Sequence, residues 1–535
     1  MTPTEIEVRT RYGDTVRADV YLPSSQGPYP VLLAASPYQK ALAHLPVHPQ
    51  YPFRESGPIE FYLRHGYAYV WMDVPGSGRS SGVWDPVSRR EGEAIADVIE
   101  WLAAQDFSTG RIGMIGQSYF CWSQWNAARV RPPHLRTIVA FDGSTDLYRD
   151  WMYKGGIPDL GFGTTWAATV MLQHQTQGHE ITGGGRDRLV PDMYAHPFDD
   201  EWHRRRAPFW ELDGVDIPVL SIGNWAKGPL HMRGNVEGFR RVGGPKKLML
   251  IPARSPWEVQ TTYASEQFHE EVVLPWYEHH LKGVENGAEG GSAVRVFVQR
   301  AGRYRDASAW PPEGVTGRAF YLSSEASGTA ASYNDGSLAE EPPVTGADST
   351  SFAYPDPEWR VGTTSFDAQG RPDHLARILT FTSPPLREAC EFTGDGVLEL
   401  YASTDQEDFD VVARLSVVKD GQADGERMSR GWLRASHREE DEELTEELRP
   451  FHSHQRPAPV VPGEVYHLRV ALLPMSFQVE AGERLRLEVS CGDSPMLEGR
   501  WFQWYGLKVG EDTYYHSRER ASRLVLPQMA LPAAR

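Results

Sequence analysis

Cysteine is scarce: three residues, Cys121, Cys390 and Cys491, stand far apart in a chain of 535. They show no Cys-x-x-Cys spacing and no histidines at ligand intervals, which argues against a disulfide framework and a structural zinc site. Long apolar runs are missing too, since nothing approaches the roughly 18 residues of a membrane span. The start, Met1-Thr-Pro-Thr-Glu-Ile-Glu-Val8, has neither the basic end nor the apolar centre of a signal peptide. A cytoplasmic protein is expected. Basic residues are in deficit, 54 Lys and Arg against 72 Asp and Glu, for a net charge of -18. Such a surface repels phosphate, so neither nucleic acid nor a membrane is an expected partner. A small-molecule substrate fits, with no cofactor and no metal, and a homo-oligomer is left open.

The length requires more than one core. From Val16 to about Phe141 short apolar runs alternate with helical patterns: Val31–Ala35, Ala68–Asp73, a helix over Glu91–Ala104, Ile112–Ile115, a helix over Ser123–Val130, and Thr137–Phe141. That rhythm predicts a mainly parallel sheet covered by helices. It breaks over 146–212, where Trp151, Met152, Tyr153, Trp166, His174, His179 and Gly183–Gly185 lie among polar residues, as in a helical cap inserted over the sheet. The rhythm resumes at Val219–Gly223 and Lys247–Ile251. After about 290 the pattern becomes short strands of period two, such as Val397–Tyr401, Asp410–Ser416 and Arg484–Val489, which predict a β jelly roll. The expected organisation is an α/β domain over 1–145 and 213–290, a cap over 146–212, and a jelly roll over 291–535. The acidic run Glu439–Glu447 reads as a solvated loop within it.

One segment carries chemistry. Arg111-Ile-Gly-Met-Ile-Gly-Gln-Ser118-Tyr119 is an apolar strand that turns through Gly116 into a helix. A turn this sharp lifts Ser118 Oγ above the sheet and sets the Tyr119 backbone N–H beside it as an oxyanion donor. The same Gly-x-Ser can serve as an ordinary helix cap; the preceding strand favours a nucleophile.

Four further motifs surround it: Arg17-Ala-Asp-Val-Tyr-Leu-Pro23, Ser36-Pro-Tyr38-Gln-Lys40, Asp73-Val-Pro-Gly-Ser-Gly-Arg-Ser-Ser-Gly82, and Ile99–Gln105 leading to Gly116-Gln-Ser-Tyr119. Together they resemble the cocaine esterase, glutaryl acylase and X-Pro dipeptidyl-peptidase group of α/β hydrolases. Asp146–Asp150 with Gly155-Gly156, Leu230-His-Met-Arg-Gly-Asn235, Pro462–Tyr466 and Ala481–Val489 extend the resemblance over nearly the whole chain. It implies an α/β-hydrolase fold followed by a jelly roll, and an oxyanion role for the Tyr38 hydroxyl.

The departures fall on the base and its partner. The group's triad Asp follows the strand that here ends Ser221-Ile-Gly-Asn-Trp225, and Lys227 stands in its place. Its triad His follows the next strand, where Ser255-Pro256 stand instead. Cys121 replaces a glycine and Pro75 an arginine. No standard triad is therefore expected. A serine without base and orienter loses roughly a millionfold in turnover, so weak cleavage of simple aryl esters and weak fluorophosphonate labelling follow. Three readings remain: an esterase or acyl transferase with a relocated base, for which His231 or Lys227 is the candidate; a repurposed enzyme that keeps only the oxyanion donors; and a binding protein. His231 could equally hold its loop. Trp151 and Trp166 of the cap, with Trp225 and Trp257, are the candidate substrate-binding aromatics.

Overall fold

The computed structural model describes residues 2–24, 26–46, 54–176, 189–344, 348–419, 421–499, 503 and 508–531. Its first sheet has ten strands: β1 (Thr4–Arg9), β2 (Thr15–Tyr21), β3 (Tyr29–Ser36), β4 (Ala68–Asp73), β5 (Ser108–Met114), β6 (Leu135–Phe141), β7 (Val219–Asn224), β8 (Lys246–Ile251), β9 (Val294–Val298) and β10 (Arg303–Ala307). They lie in the order β1-β2-β4-β3-β5-β6-β7-β8-β9-β10. The run from β4 to β9 is parallel, and only the edge pairs are antiparallel. Central parallel strands are covered on both faces, which is why β4 is an unbroken buried run, Ala-Tyr-Val-Trp-Met-Asp.

The helices bury apolar stripes. Helix α1 (Arg89–Ala103) begins where Ser88 accepts the Glu91 N–H, and its Ala94, Ile95, Val98, Ile99 and Leu102 face the core at helical spacing. All ten residues of α2 (Tyr119–Ala128) are buried. Such a helix has no polar face to lose, so it can only sit inside the domain.

The first sheet continues past the expected boundary near 290, because β9 pairs in parallel with β8 and β10 pairs with β9; its last strand ends at Ala307. Val294 and Val296 alternate with exposed or half-buried neighbours, a pattern equally suited to an edge strand of either domain. The insertion is also less helical than expected. It opens with a π turn (Leu147–Met152), continues through a two-strand ribbon, Tyr153–Lys154 with Ile157–Pro158, and only then reaches α3 (Phe162–Thr176) and three short helical segments. His179 and Gly183–Gly185 lie outside the described residues.

Fourteen of the strands between Thr316 and Met529 form a second, β-rich sheet system around Phe320, Leu338, Phe392, Leu400, Val411 and Leu487, and Ser365–Phe366 with Pro372–Asp373 make a separate two-strand ribbon. Within Glu439–Glu447, Glu440 is held by Arg469 at 2.6 Å and Glu446 by Arg449 at 2.7 Å. Among the described residues no helix is long and apolar enough to cross a membrane.

Insertion and second domain meet at Gly155 and Gly156. Gly155 has φ +58°, its carbonyl accepts the Arg434 N–H at 2.8 Å, and a Cβ there would stand 2.0 Å from the Trp432 carbonyl oxygen. Only glycine allows the ribbon to lie against that backbone. Replacing Gly155 by Ala is expected to cost at least about 1–2 kcal/mol from the left-handed conformation alone, with the clash added. Thermal melts should show a lower transition for Gly155→Ala than for wild type, and an unchanged melt would refute the packing argument.

Candidate active site

Strand β5 runs through Ile115-Gly116-Gln117 into Ser118, which has φ 63° and ψ -116° before α2 begins at Tyr119. A non-glycine residue rarely holds such a conformation, so the surroundings must over-determine it. Gly116 has φ +128°, and a Cβ on it would stand 2.3 Å from Phe120 Cβ. The Ser118 N–H donates to the Asp142 carbonyl at 3.0 Å, and Gln124 Nε2 donates to the Gly116 carbonyl at 3.0 Å. The turn is strained and pinned at both ends.

Asp142 follows directly on the last residue of β6, immediately beside this turn. His231 Nε2 lies 3.5 Å from Ser118 Oγ, and His231 Nδ1 lies 3.0 Å from Asp142 Oδ1. The second contact fixes the tautomer: Nδ1 carries the proton and Nε2 is free to accept one. The same carboxylate takes three more donors: Asn224 Nδ2 at 2.7 Å on Oδ1, and Lys227 Nζ at 2.6 Å and Gln117 Nε2 at 2.9 Å on Oδ2. Burial alone would raise the Asp142 carboxyl, but Lys227 and His231 hold it well below the usual carboxylate range, so it is an anion. Burial lowers His231, Asp142 pulls it back up, and Lys227 pushes it down again.

The loop carrying these groups is built locally. Lys227 N–H donates to Asn224 Oδ1 at 3.0 Å, and a π turn over Gly228–Met232 swings His231 inward. Asn235, on the following helix α4 (Arg233–Arg241), accepts the Gly143 N–H at 3.1 Å and donates to the Ala140 carbonyl at 2.9 Å. One side chain thus ties the His231 segment to the strand end that presents Asp142.

On the oxyanion side, Tyr38 is fully enclosed and shares a hydrogen bond with Ser118. Its oxygen accepts from Trp166 Nε1 at 2.9 Å, which leaves the phenolic proton to point elsewhere. Burial raises the Tyr38 hydroxyl well above its ordinary range, so it stays a donor. The Tyr119 N–H is first in its helix and has no acceptor within it. The Tyr119 phenol is spoken for: it donates to Glu91 at 2.8 Å and stacks on Trp166 at 5.8 Å.

Ser118, Tyr38, the Tyr119 N–H, His231 and Lys227 thus converge. No standard triad was expected at the usual positions; His231, the candidate relocated base, lies 3.5 Å from Ser118 Oγ, and Asp142 lies 3.0 Å from His231. Lys227 does occupy the position of the missing acid, but as a cation seated on Asp142. Ser255 holds no base; it caps α5 (Pro256–Ala264), accepting the Glu258 N–H at 3.2 Å. The four tryptophans separate. Trp166 and Trp151 are buried 4.7 Å apart in the insertion, and Trp166 spends its N–H on Tyr38. Trp225 donates to the Phe297 carbonyl at 2.9 Å, which fastens it to β9, and Trp257 is 62% exposed on the first turn of α5. Neither of the last two is held as a pocket wall.

Asp142, Asn224 and Glu55 were not singled out from the sequence. An acid directly after the β6 run was the available signal, because residues at the carboxyl ends of parallel strands point into the site. Glu55 carried no signal. Its carboxyl is buried, with Gln260 Nε2 3.5 Å from Oε1, and burial together with the Asp142 charge pushes it up to about 7 against the pull of Lys227.

Residues 12–254 match the family model described as X-Pro dipeptidyl-peptidase (S15 family), and residues 286–524 match the X-Pro dipeptidyl-peptidase C-terminal non-catalytic domain. The chain is similar to the cocaine esterase of Rhodococcus sp. (strain MB1 Bresler), at 25% identity over 92% of this chain and 91% of that protein. Its fold is that of a CocE/NonD family hydrolase from Staphylococcus aureus, with a TM-score of 0.83 at 24% identity over 98% of this chain and 93% of that one. An aminopeptidase from a marine sediment archaeon shares the fold at a TM-score of 0.76, with 16% identity over 99% and 97% of the two chains.

The Trp166 contact predicts a graded effect on any reaction that passes through an oxyanion at Ser118. Tyr38→Phe should lower kcat by about 10²–10³, the usual cost of one oxyanion donor. Trp166→Phe should lower it less, because it frees the phenol to turn rather than removing it, and KM should change little in both. Steady-state kinetics on an aryl ester check this; a Trp166→Phe enzyme altered only in KM would mean the indole contacts substrate instead.

Proposed function

We propose that the chain, which matches the X-Pro dipeptidyl-peptidase (S15) family model and resembles a cocaine esterase, is a serine acyl hydrolase whose triad is Ser118, His231 and Asp142. Ser118 Oγ attacks the carbonyl carbon while its proton passes to His231 Nε2. Asp142 holds the ring by Nδ1 and offsets part of the charge that forms on it. The carbonyl oxygen, now an anion, is received by the Tyr38 hydroxyl and the Tyr119 N–H. The carbon–leaving-group bond then breaks as His231 gives up its proton to the leaving group or to solvent, and water, activated by the imidazole so freed, releases the acyl group and restores Ser118. The substrate in this reading is a small-molecule ester, in keeping with the net negative chain and with the esterase among its relatives.

The observation that carries the reading is the unbroken relay Ser118 Oγ–His231–Asp142 at 3.5 and 3.0 Å. The first distance is long for a hydrogen bond in action, as is usual before substrate tightens the site. The non-hydrolytic and ligand-binding readings are less favoured, because His231 Nε2 stands within reach of Ser118 Oγ. Lys227 as the base is disfavoured by its ion pair, since a general base must be free to accept a proton.

The test is a set of single replacements assayed on p-nitrophenyl acetate, with fluorophosphonate labelling in parallel. Ser118→Ala and His231→Gln should each lower turnover by about 10⁴ or more, and Asp142→Asn by about 10⁴ through the wrong tautomer. Wild type should label at Ser118 and His231→Gln should not. Full activity in His231→Gln would end this assignment.

A further inference from the structure

The acid of the proposed triad is neutralised in advance. Asp142 is fully buried and its two oxygens accept four donors, of which Lys227 Nζ at 2.6 Å is the only permanent cation among the described contacts. In an ordinary triad the resting His–Asp pair carries one negative charge and becomes neutral when the imidazole takes the serine proton. Here the resting cluster is already neutral, and protonation makes it a net cation, in a place where His231 is 5% exposed. Charge separation in such surroundings is far less screened than in water.

The neighbouring charges do not restore the balance. Asp150, on the π turn facing His231, is bound by Arg233 at 2.6 Å and by the Thr145 and Asp146 N–H groups. Cys121, close to Asp142, is kept a neutral thiol by burial. Glu55 faces Lys227 from the segment before the elbow, and with its carboxyl pushed up to about 7 it is uncharged at acid pH. Above neutrality its ionisation adds a negative charge that favours the imidazolium.

We propose that Lys227 is a positioning residue that sets the substrate class: by neutralising Asp142 it makes His231 a weak base, and so confines the site to aryl esters and thioesters. The inference rests on the triad reading above. Breaking an amide bond requires a fully formed imidazolium to protonate the departing nitrogen, and that species is the one Lys227 disfavours. A phenolate or thiolate leaves as the anion when its bond to carbon breaks, so the serine proton needs only to reach His231 and pass on to water.

The experiment is the pH profile of kcat/KM for p-nitrophenyl acetate and p-nitroacetanilide in wild type, Lys227→Gln and Lys227→Arg. Glutamine keeps a donor on Asp142 and loses the charge; arginine keeps the charge. The acid limb of wild type is expected at or below the ordinary imidazole value of about 6.5. In Lys227→Gln it should rise by about one pH unit or more, a tenfold change in proton affinity, and the ester-to-anilide ratio should fall by at least about tenfold. Lys227→Arg should leave the limb in place. An unmoved limb in the folded Gln variant, or an equal move in both variants, overturns the proposal. Should the Gln variant fail to fold, a wild-type limb above pH 7 overturns it, and one below the imidazole value supports it. Failure of the triad itself shows separately, as turnover retained in His231→Gln.

Discussion

A carboxylate buried from solvent must be surrounded by donors, and in this protein the need of Asp142 organises the site. Leaving such a charge unpaired costs several kcal/mol, so each of its four partners is under constraint. They arrive from different places: Gln117 from the end of β5, Asn224 from the end of β7, Lys227 and His231 from the loop that follows. The carboxylate therefore acts as a rivet through three neighbouring strand ends. The same interaction that orients His231 also fixes where the nucleophile turn can stand, since the Asp142 carbonyl receives the Ser118 N–H.

This arrangement explains the two empty positions. In the proposed triad the acid follows β6 and the histidine follows β7, so each sits one strand nearer the nucleophile than in the group that the chain resembles. The loop after β8 has no chemical duty left, and it becomes a plain helix start with Ser255 as cap and Pro256 in the first turn. Lys227 fills the position vacated by the acid, and its ammonium returns to the carboxylate that took over. Loss of the usual Asp and gain of a cation at that position are one change in charge arrangement, because a lysine there without Asp142 would be a buried unpaired charge.

The sheet, the elbow and the second domain were legible because each rests on a periodic or local signal: apolar runs such as Ala68–Asp73, the Gly116-Gln-Ser118 turn, the two-residue alternation beyond Val294. The continuation of the first sheet past 290 was not legible, because β9 has the same alternation and only its partner strand assigns it. The base was half legible. His231 was a candidate by its place after β7, but a single histidine in a motif does not reveal what it faces. Asp142 was hidden because strand-end acids are common and its value depends on a contact across 89 residues of sequence. Trp166 was legible as a pocket aromatic by type alone; that its N–H supports Tyr38 depends on the packing of the insertion against the sheet.

Two halves of the site are thus built differently. The oxyanion half is mainly apolar: Tyr38, Tyr119, Trp151, Trp166 and Trp84 pack in edge-to-face, tilted and stacked contacts, and the Tyr119 hydroxyl donates to Glu91. The proton-transfer half is polar and electrostatically closed. Its charges are confined to Asp142, Lys227 and the titratable Glu55 and His231, with Asp150 bound to Arg233. A donor pair in an apolar wall keeps its strength whatever the pH, whereas the polar half changes with the charge of a few groups. Control over the reaction therefore resides in the polar half, and Lys227 is the member of it that sits on the acid as an ion pair.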